Sequence, residues 1–261
     1  MKASGLSEAY FAGHEPRALR LLRRFFVGWR LFQRKVFLLE RPTGPPDWTT
    51  TAHSTNWARR EPFSSCYRAA VELVGRDYRI PWRAQTLLWA ASQARHLNGD
   101  FVELGTGKGF MMACVATYRD THFSDGPKIW CFDIFQESSV SGFGDSRHNH
   151  AYANSIRETQ DVLGGFGAIE LVEGDIRETL ECAGPERIAF LHLDLNDSDL
   201  ESWAVNVVWE RLITGAVIVL DDYANRGMAQ SEASLLATFR EKGYEILSLP
   251  SGQGLVVKSF R

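Results

Sequence analysis

The stretch Phe101-Val102-Glu103-Leu104-Gly105-Thr106-Gly107-Lys108-Gly109-Phe110 decides the fold. It opens with a short, mostly apolar run of the length of a buried parallel strand. Glu103 stands two positions before the first glycine, glycines alternate at 105, 107 and 109, and Phe110 to Tyr118 reads as an apolar helix. Strand, glycine turn and helix in that order let backbone N–H groups and a helix N-terminus approach a ligand closely. A dinucleotide-binding turn is spaced G-x-G-x-x-G, whereas this one is G-x-G-x-G behind an acid. An ordinary tight turn has the same look, so the residues downstream must decide what it binds.

Downstream, strands and helices alternate. Lys128 to Asp133 reads as a strand ending in an acid, Ile134 to Asn149 as a long glycine- and serine-rich loop, and Tyr152 to Leu163 as a helix. The strand Ala168 to Val172 and the short helix Ile176 to Cys182 follow. Next come the strand Arg187 to Leu195, the helix Asp199 to Leu212, the strand Ala216 to Asp221 and the helix Gln230 to Lys242. This alternation predicts an α/β fold with a doubly wound, mostly parallel sheet of seven strands. The last two strands, Tyr244 to Leu249 and Leu255 to Lys258, are joined without a helix and predict an antiparallel edge.

Upstream, residues 62–75 and 81–96 read as helices, the second entered through Ile80-Pro81. Thr49 to Trp57 is polar and turn-rich, a connector or a lid. Pro42, Pro45 and Pro46 end any helix before it. Arg17 to Leu39 sets an aromatic stripe (Phe25, Trp29, Phe32 among it) against arginines. Such a helix packs on the domain or in an oligomer; the alternative is an anionic membrane interface. The chain thus divides into an N-terminal helical or lid segment, 1–78, and one α/β domain, 79–261.

Composition narrows the function. A net charge of −3 carries no nucleic-acid footprint. Cys66, Cys114, Cys131 and Cys182 have no C-x-x-C spacing and read as reduced thiols of a cytoplasmic protein. No apolar run reaches a membrane span of about 18–20 residues, and no signal-peptide pattern opens the chain.

Ligands of open α/β sheets lie off the carboxyl ends of the strands, and here acids close several of them. Asp133, Gly174-Asp175, Asp194 and the pair Asp221-Asp222 all stand at such ends. Asp194, Asp221 and Asp222 fall on neighbouring strands. Three carboxylates in one cleft are costly unless a cation neutralises them or they take up protons. An all-oxygen site suits Mg²⁺, which can lower the pKa of a bound hydroxyl; the other reading is a capping or orienting aspartate without metal. His192 shares a strand face with Asp194, and His148 and His150 lie at the long loop; each is a candidate base, with a hydrogen-bonded core role as the alternative for His192.

The turn Glu103 to Phe110 resembles motif I of the class I S-adenosylmethionine (SAM)-dependent methyltransferases. The resemblance implies that Gly105, Thr106, Gly107, Gly109 and Phe110 border the cofactor and that Glu103 holds its ammonium group. It also implies that Asp133 bonds the ribose, and Gly174 with Asp175 meets the adenine. The segments His192 to Asn196, Gly215 to Tyr223 and Leu249 to Leu255 are similar to the macrocin O-methyltransferase (TylF/MycF-type) family, whose Mg²⁺-dependent members methylate sugar hydroxyls. By that match Asp194, Asp221 and Asp222 are metal ligands, and Asp194 doubles as base. This chain departs from the family's Asp-x-Asp-x-Tyr, having Asn196 and Ser198 in place of the second acid and the tyrosine. The resemblance implies a small, glycosylated acceptor, and a homo-oligomer is expected. An NAD(P)-linked oxidoreductase and a non-catalytic, methyltransferase-like binding module are the competing readings.

Overall fold

The computed structural model describes residues 47, 49, 51, 53–123, 125–135, 155–224 and 229–259. The Arg17–Leu39 helix, His148 and His150 lie outside the described residues. Two compact units divide the chain, Met1–Pro45 with Thr50–Thr55, and Pro46–Thr49 with Asn56–Arg261. In the first, the His53 amide donates to Thr51 Oγ1 at 3.0 Å. The second holds every regular element below.

After a 3₁₀ turn at Asn56–Arg59 come helices α1 (Phe63–Val74) and α2 (Pro81–Ala94). Strand β1 (Asp100–Leu104), helix α3 (Phe110–His122) and strand β2 (Ile129–Asp133) follow. Then come α4 (Ile156–Leu163), β3 (Ile169–Glu173), α5 (Ile176–Cys182), β4 (Ile188–Leu193) and α6 (Ser198–Val208). The chain closes with β5 (Leu212–Leu220), α7 (Ala229–Glu241), β6 (Leu247–Ser248) and β7 (Gly254–Val257). The sheet has seven strands in the order β3-β2-β1-β4-β5-β7-β6. Strands β1 to β5 run parallel, and β7 is antiparallel to both β5 and β6.

The expected doubly wound sheet and its antiparallel edge are therefore present. Two boundaries differ. Strand β5 begins at Leu212, where a helix was expected to end, because Arg211 already hands its carbonyl to the β4 amide of Ile188. Strand β6 is only two residues long, and both are exposed. An edge that short leaves little backbone open to another chain.

Alternation along the strands splits the core in two. Phe101, Phe190, Val217 and Val219 face a layer that includes α1, α2 and α3. Val102, Leu104, Leu191, Leu193, Ile218 and Leu220 face a layer that includes α5, α6 and α7. Nearly all of these side chains are below 2% exposed, as expected of central parallel strands covered on both faces. By the same alternation Glu103 and His192, which are register partners, point to the α2 side. The site is built there, where the strands end. The four cysteines are free, three of them buried. No helix among the described residues is long and apolar enough to cross a membrane.

Candidate active site

The turn after β1 is made by backbone. Gly105 has φ +90°, and a Cβ there would fall 2.0 Å from the Asp194 carbonyl oxygen, so only glycine lets the ends of β1 and β4 close up. Gly107, at φ +54°, has nothing within 4 Å of a Cβ, so the turn is open on that side. Asp133 holds the turn in shape: its Oδ2 accepts from the Gly107 amide at 2.7 Å and its Oδ1 from the Phe135 amide at 3.0 Å. Thr159, fully buried on α4, donates to the Gly107 carbonyl at 2.8 Å. An open glycine turn tied to a strand-end carboxylate fits a ligand laid against its backbone, as SAM would be.

Some side chains read as cofactor contacts sit elsewhere. Glu103 is 1% exposed, and its Oε1 accepts from His192 Nδ1 at 2.9 Å. Burial pushes its carboxyl up despite that partner. In this structure it holds the histidine through Oε1, while its Oε2 is buried without a hydrogen-bond partner. The Phe110 ring is buried edge-on against Tyr67 and Tyr78, so Phe110 offers the turn only its backbone. Thr106 is 7% exposed and its hydroxyl turns back to the Phe132 carbonyl. Asp175 is exposed and caps α5, accepting from the Arg177 amide at 2.8 Å; Gly174 precedes it at φ +138°. Gly109, at φ +80°, starts α3.

The acidic end is made by side chains. The Asp194 amide bonds the Leu104 carbonyl and the Asp221 amide the Leu193 carbonyl, both at 2.8 Å, so the ladder itself sets the two aspartates side by side. His192 is fully buried. Its Nε2 lies 3.6 Å from Asp221 Oδ1, too long for a hydrogen bond, and has no hydrogen-bond partner. Asp221 Oδ1 accepts instead from Gln253 Nε2 at 2.9 Å, and Ser251 Oγ fixes the other end of that amide at 3.0 Å. The Gly252-Gln253-Gly254 turn thus delivers a fully buried amide to the strand-end acid. Asn196 Nδ2 donates to Asp194 Oδ1 at 3.4 Å, a donation that a second carboxylate at that position could not make. Asp197 caps α6 on the Asp199 and Leu200 amides.

Arg83 supplies a cation from α2. Its Nη1 pairs with Asp221 Oδ2, and its Nη2 with Asp222 Oδ1 at 3.0 Å. Burial alone would raise the Asp221 carboxyl; Arg83, then His192 and Gln253, overcome it and hold it at about 2. Burial alone would lower the His192 ring; Asp221 and Glu103 overcome it and push the ring up to about 10. Asp194 is pushed well up, by burial first and then by the Asp221 charge.

His192, Asp194 and Asp221 each offer one ligand atom, all within 4.8 Å of one another. Carboxylate oxygens suit a hard dication. Glu103 orients the ring through its other nitrogen, as in ligating histidines, but His192 would have to give up the proton that Asp221 and Glu103 favour before its Nε2 could bind a metal. The residues therefore fit a divalent ion, on condition that Arg83 gives up the carboxylate oxygens it holds.

Residues 102–223 match the family described as Methyltransferase domain. The fold is that of the class I methyltransferases. Its fold is similar to that of the O-methyltransferase NovP, at 18% identity, TM-score 0.60, with 74% of this chain and 89% of that one covered. It is also similar to CalS11, a TDP-rhamnose 3′-O-methyltransferase of calicheamicin biosynthesis, at 15% identity and TM-score 0.52, covering 74% and 93%. A third likeness is to TomG from Streptomyces achromogenes, an O-methyltransferase of tomaymycin synthesis in complex with SAM, at 15% identity and TM-score 0.50, covering 77% and 91%. No curated protein matches the sequence. In this fold the glycine turn and the acidic cluster occupy adjoining strand ends, β1 beside β4 and β4 beside β5.

Arg83 and Asp47 were not singled out in the sequence. Gln253 was visible only as part of a turn. One signal could have found a cation: three carboxylates on neighbouring strand ends require one.

Proposed function

We propose that the protein is a SAM- and divalent-metal-dependent O-methyltransferase acting on a hydroxyl of a sugar or glycosylated small molecule. One observation carries the reading. An acidic cluster with a buried, unpartnered histidine nitrogen stands at the ends of β4 and β5, beside the glycine turn of a methyltransferase domain. When bound, SAM supplies the electrophilic methyl, and the dication lowers the pKa of the acceptor hydroxyl.

The chain's own residues position and hold charge. The 105–109 turn, tied by Asp133, presents its backbone to the donor. Asp194, Asp221 and Asp222 would hold the metal once Arg83 releases the aspartate pair, with Gln253 and His192 flanking Asp221. By the family resemblance Asp194 carries the role of base: burial and the Asp221 charge favour its protonated form, and a dication beside it would favour the ionised form that accepts a proton. His192 is sealed between Glu103 and Asp221 and positions the cluster without reaching an acceptor. The sugar acceptor is supported by the likeness to CalS11 and by the family resemblance of the Asp221-Asp222-Tyr223 segment.

The test is release of S-adenosylhomocysteine from SAM over a panel of sugars and glycosides, with Mg²⁺ and with EDTA. Turnover of at least one glycoside, abolished by EDTA and restored by Mg²⁺, is expected. Turnover unchanged by EDTA would remove the metal; turnover only on non-sugar hydroxyls would move the acceptor class.

A further inference from the structure

We propose that Arg83 is the resident counter-cation of the acidic cluster, competing with the divalent metal for Asp221 and Asp222 and moving onto Asp47 when the metal binds. The inference rests on the metal-dependent reading above.

The guanidinium spans the aspartate pair, taking one oxygen from each carboxylate. Arg83 is 19% exposed along its side chain, against 5% for Asp221 and 12% for Asp222, so the contact is largely shielded from water. Those two oxygens cannot serve five donors of a planar fork and a small dication together, and the two cations repel. The cluster is not fully paired: His192 Nε2, fully buried, has no hydrogen-bond partner and lies 3.6 Å from Asp221 Oδ1.

Asp47 offers the second seat. Its Oδ2 accepts from the Trp82 amide at 2.7 Å, which fixes the carboxylate at the start of α2, one residue before Arg83. Its Oδ1 is buried without a hydrogen-bond partner. An unfilled carboxylate oxygen in the interior is costly, and a guanidinium leaving Asp221 would fill it. Burial pushes Asp47 up to about 7 against the Trp82 amide and the Arg83 charge, both of which lower it, and Asp221 raises it further. Arg83 thus contacts the aspartate pair and lies in the field of Asp47, whose carboxylate it would favour, and a metal ion at the pair would decide which it takes.

The test is Mn²⁺ binding to the full chain by calorimetry, with no SAM and no acceptor present. Wild type is compared with Arg83→Met, Arg83→Lys and Asp47→Asn, each checked for folding by its melting curve. Arg83→Met is expected to bind Mn²⁺ about tenfold more tightly, a change of the size outer contacts give metal sites. Arg83→Lys, keeping the charge, should stay near wild type, and Asp47→Asn, removing the second seat, should bind more weakly. A purely structural Arg83 would not give opposite signs at 83 and 47. Unchanged or weaker binding by Arg83→Met overturns the competition and leaves the metal reading standing. Binding by no protein of the set overturns both. If Arg83→Met does not fold, the decision falls to Asp47→Asn, whose unchanged affinity overturns the proposal.

Discussion

The turn after β1 and the acidic end of β4 and β5 are neighbours in space but are built on different principles. The turn is backbone: three glycines, held by one carboxylate and one buried threonine hydroxyl. Its parts lie within ten residues, apart from Asp133 and Thr159. The acidic end is side chains whose partners come from far along the chain. Arg83 is 138 residues from Asp221, and Gln253 is 32. The first region tolerates no added bulk at Gly105, and the second no lost charge.

The sharpest break of that contrast is steric. Gly105→Ala places a methyl 2.0 Å from the Asp194 carbonyl oxygen in a left-handed backbone. We expect it to destabilise the fold by about 4 kcal/mol, the size of the largest single substitutions. Gly107→Ala, with empty space before it, should cost only ~1 kcal/mol of backbone strain. Urea unfolding of the two variants measures the difference; equal costs would mean the strand ends are not in contact.

Asp221→Asn breaks the charged region instead. It leaves Arg83 and His192 short of an anion, and loss of one partner of a buried ion pair costs about 3 kcal/mol. Turnover should fall by on the order of 100-fold while donor binding persists. Single-turnover kinetics beside SAM titration separates the two; a loss of donor binding as large as that of turnover would merge the regions.

A smaller effect reads the field of the acidic end from outside it. Glu201 is 4% exposed and accepts from the Leu195 amide at 3.1 Å. Burial, with help from Asp222 and Asp221, pushes it from 4.5 up to about 7. A raised folded-state pKa means the folded protein binds that proton more tightly. The stability it contributes is fully present below pH 4.5 and is lost as pH rises through about 7. Over that window wild type should lose ~2–3 kcal/mol relative to Glu201→Gln. Unfolding curves at pH 5 and pH 8 check it; parallel stabilities would mean Glu201 is solvated. The smallest effect is on the turn's outer rim. Lys108→Ala removes an exposed ion pair to Glu158 and should change stability by ~0.5 kcal/mol or less.

This difference also explains what the sequence could reveal. The apolar runs of β1, β4 and β5 are covered on both faces and read plainly, so strand number and order of appearance were legible. Gly105 was legible because close backbone approach leaves glycine no substitute. The acids at 133, 194, 221 and 222 were legible because parallel strands end where ligands bind. What Asp221 touches was not, because Arg83 and Gln253 reach it through tertiary packing with no spacing rule. Glu103 and Phe110 looked like ligand contacts by position, but alternation and helix packing turn both inward. The start of β5 was misplaced because Leu212 to Gly215 continue the apolar character of α6.

The most direct test of the account is calorimetric titration of wild type and Asp221→Asn with S-adenosylhomocysteine and with NAD⁺. The account predicts that both proteins bind S-adenosylhomocysteine with similar affinity and that neither binds NAD⁺. NAD⁺ binding, or no binding of S-adenosylhomocysteine by the wild-type protein, would contradict it.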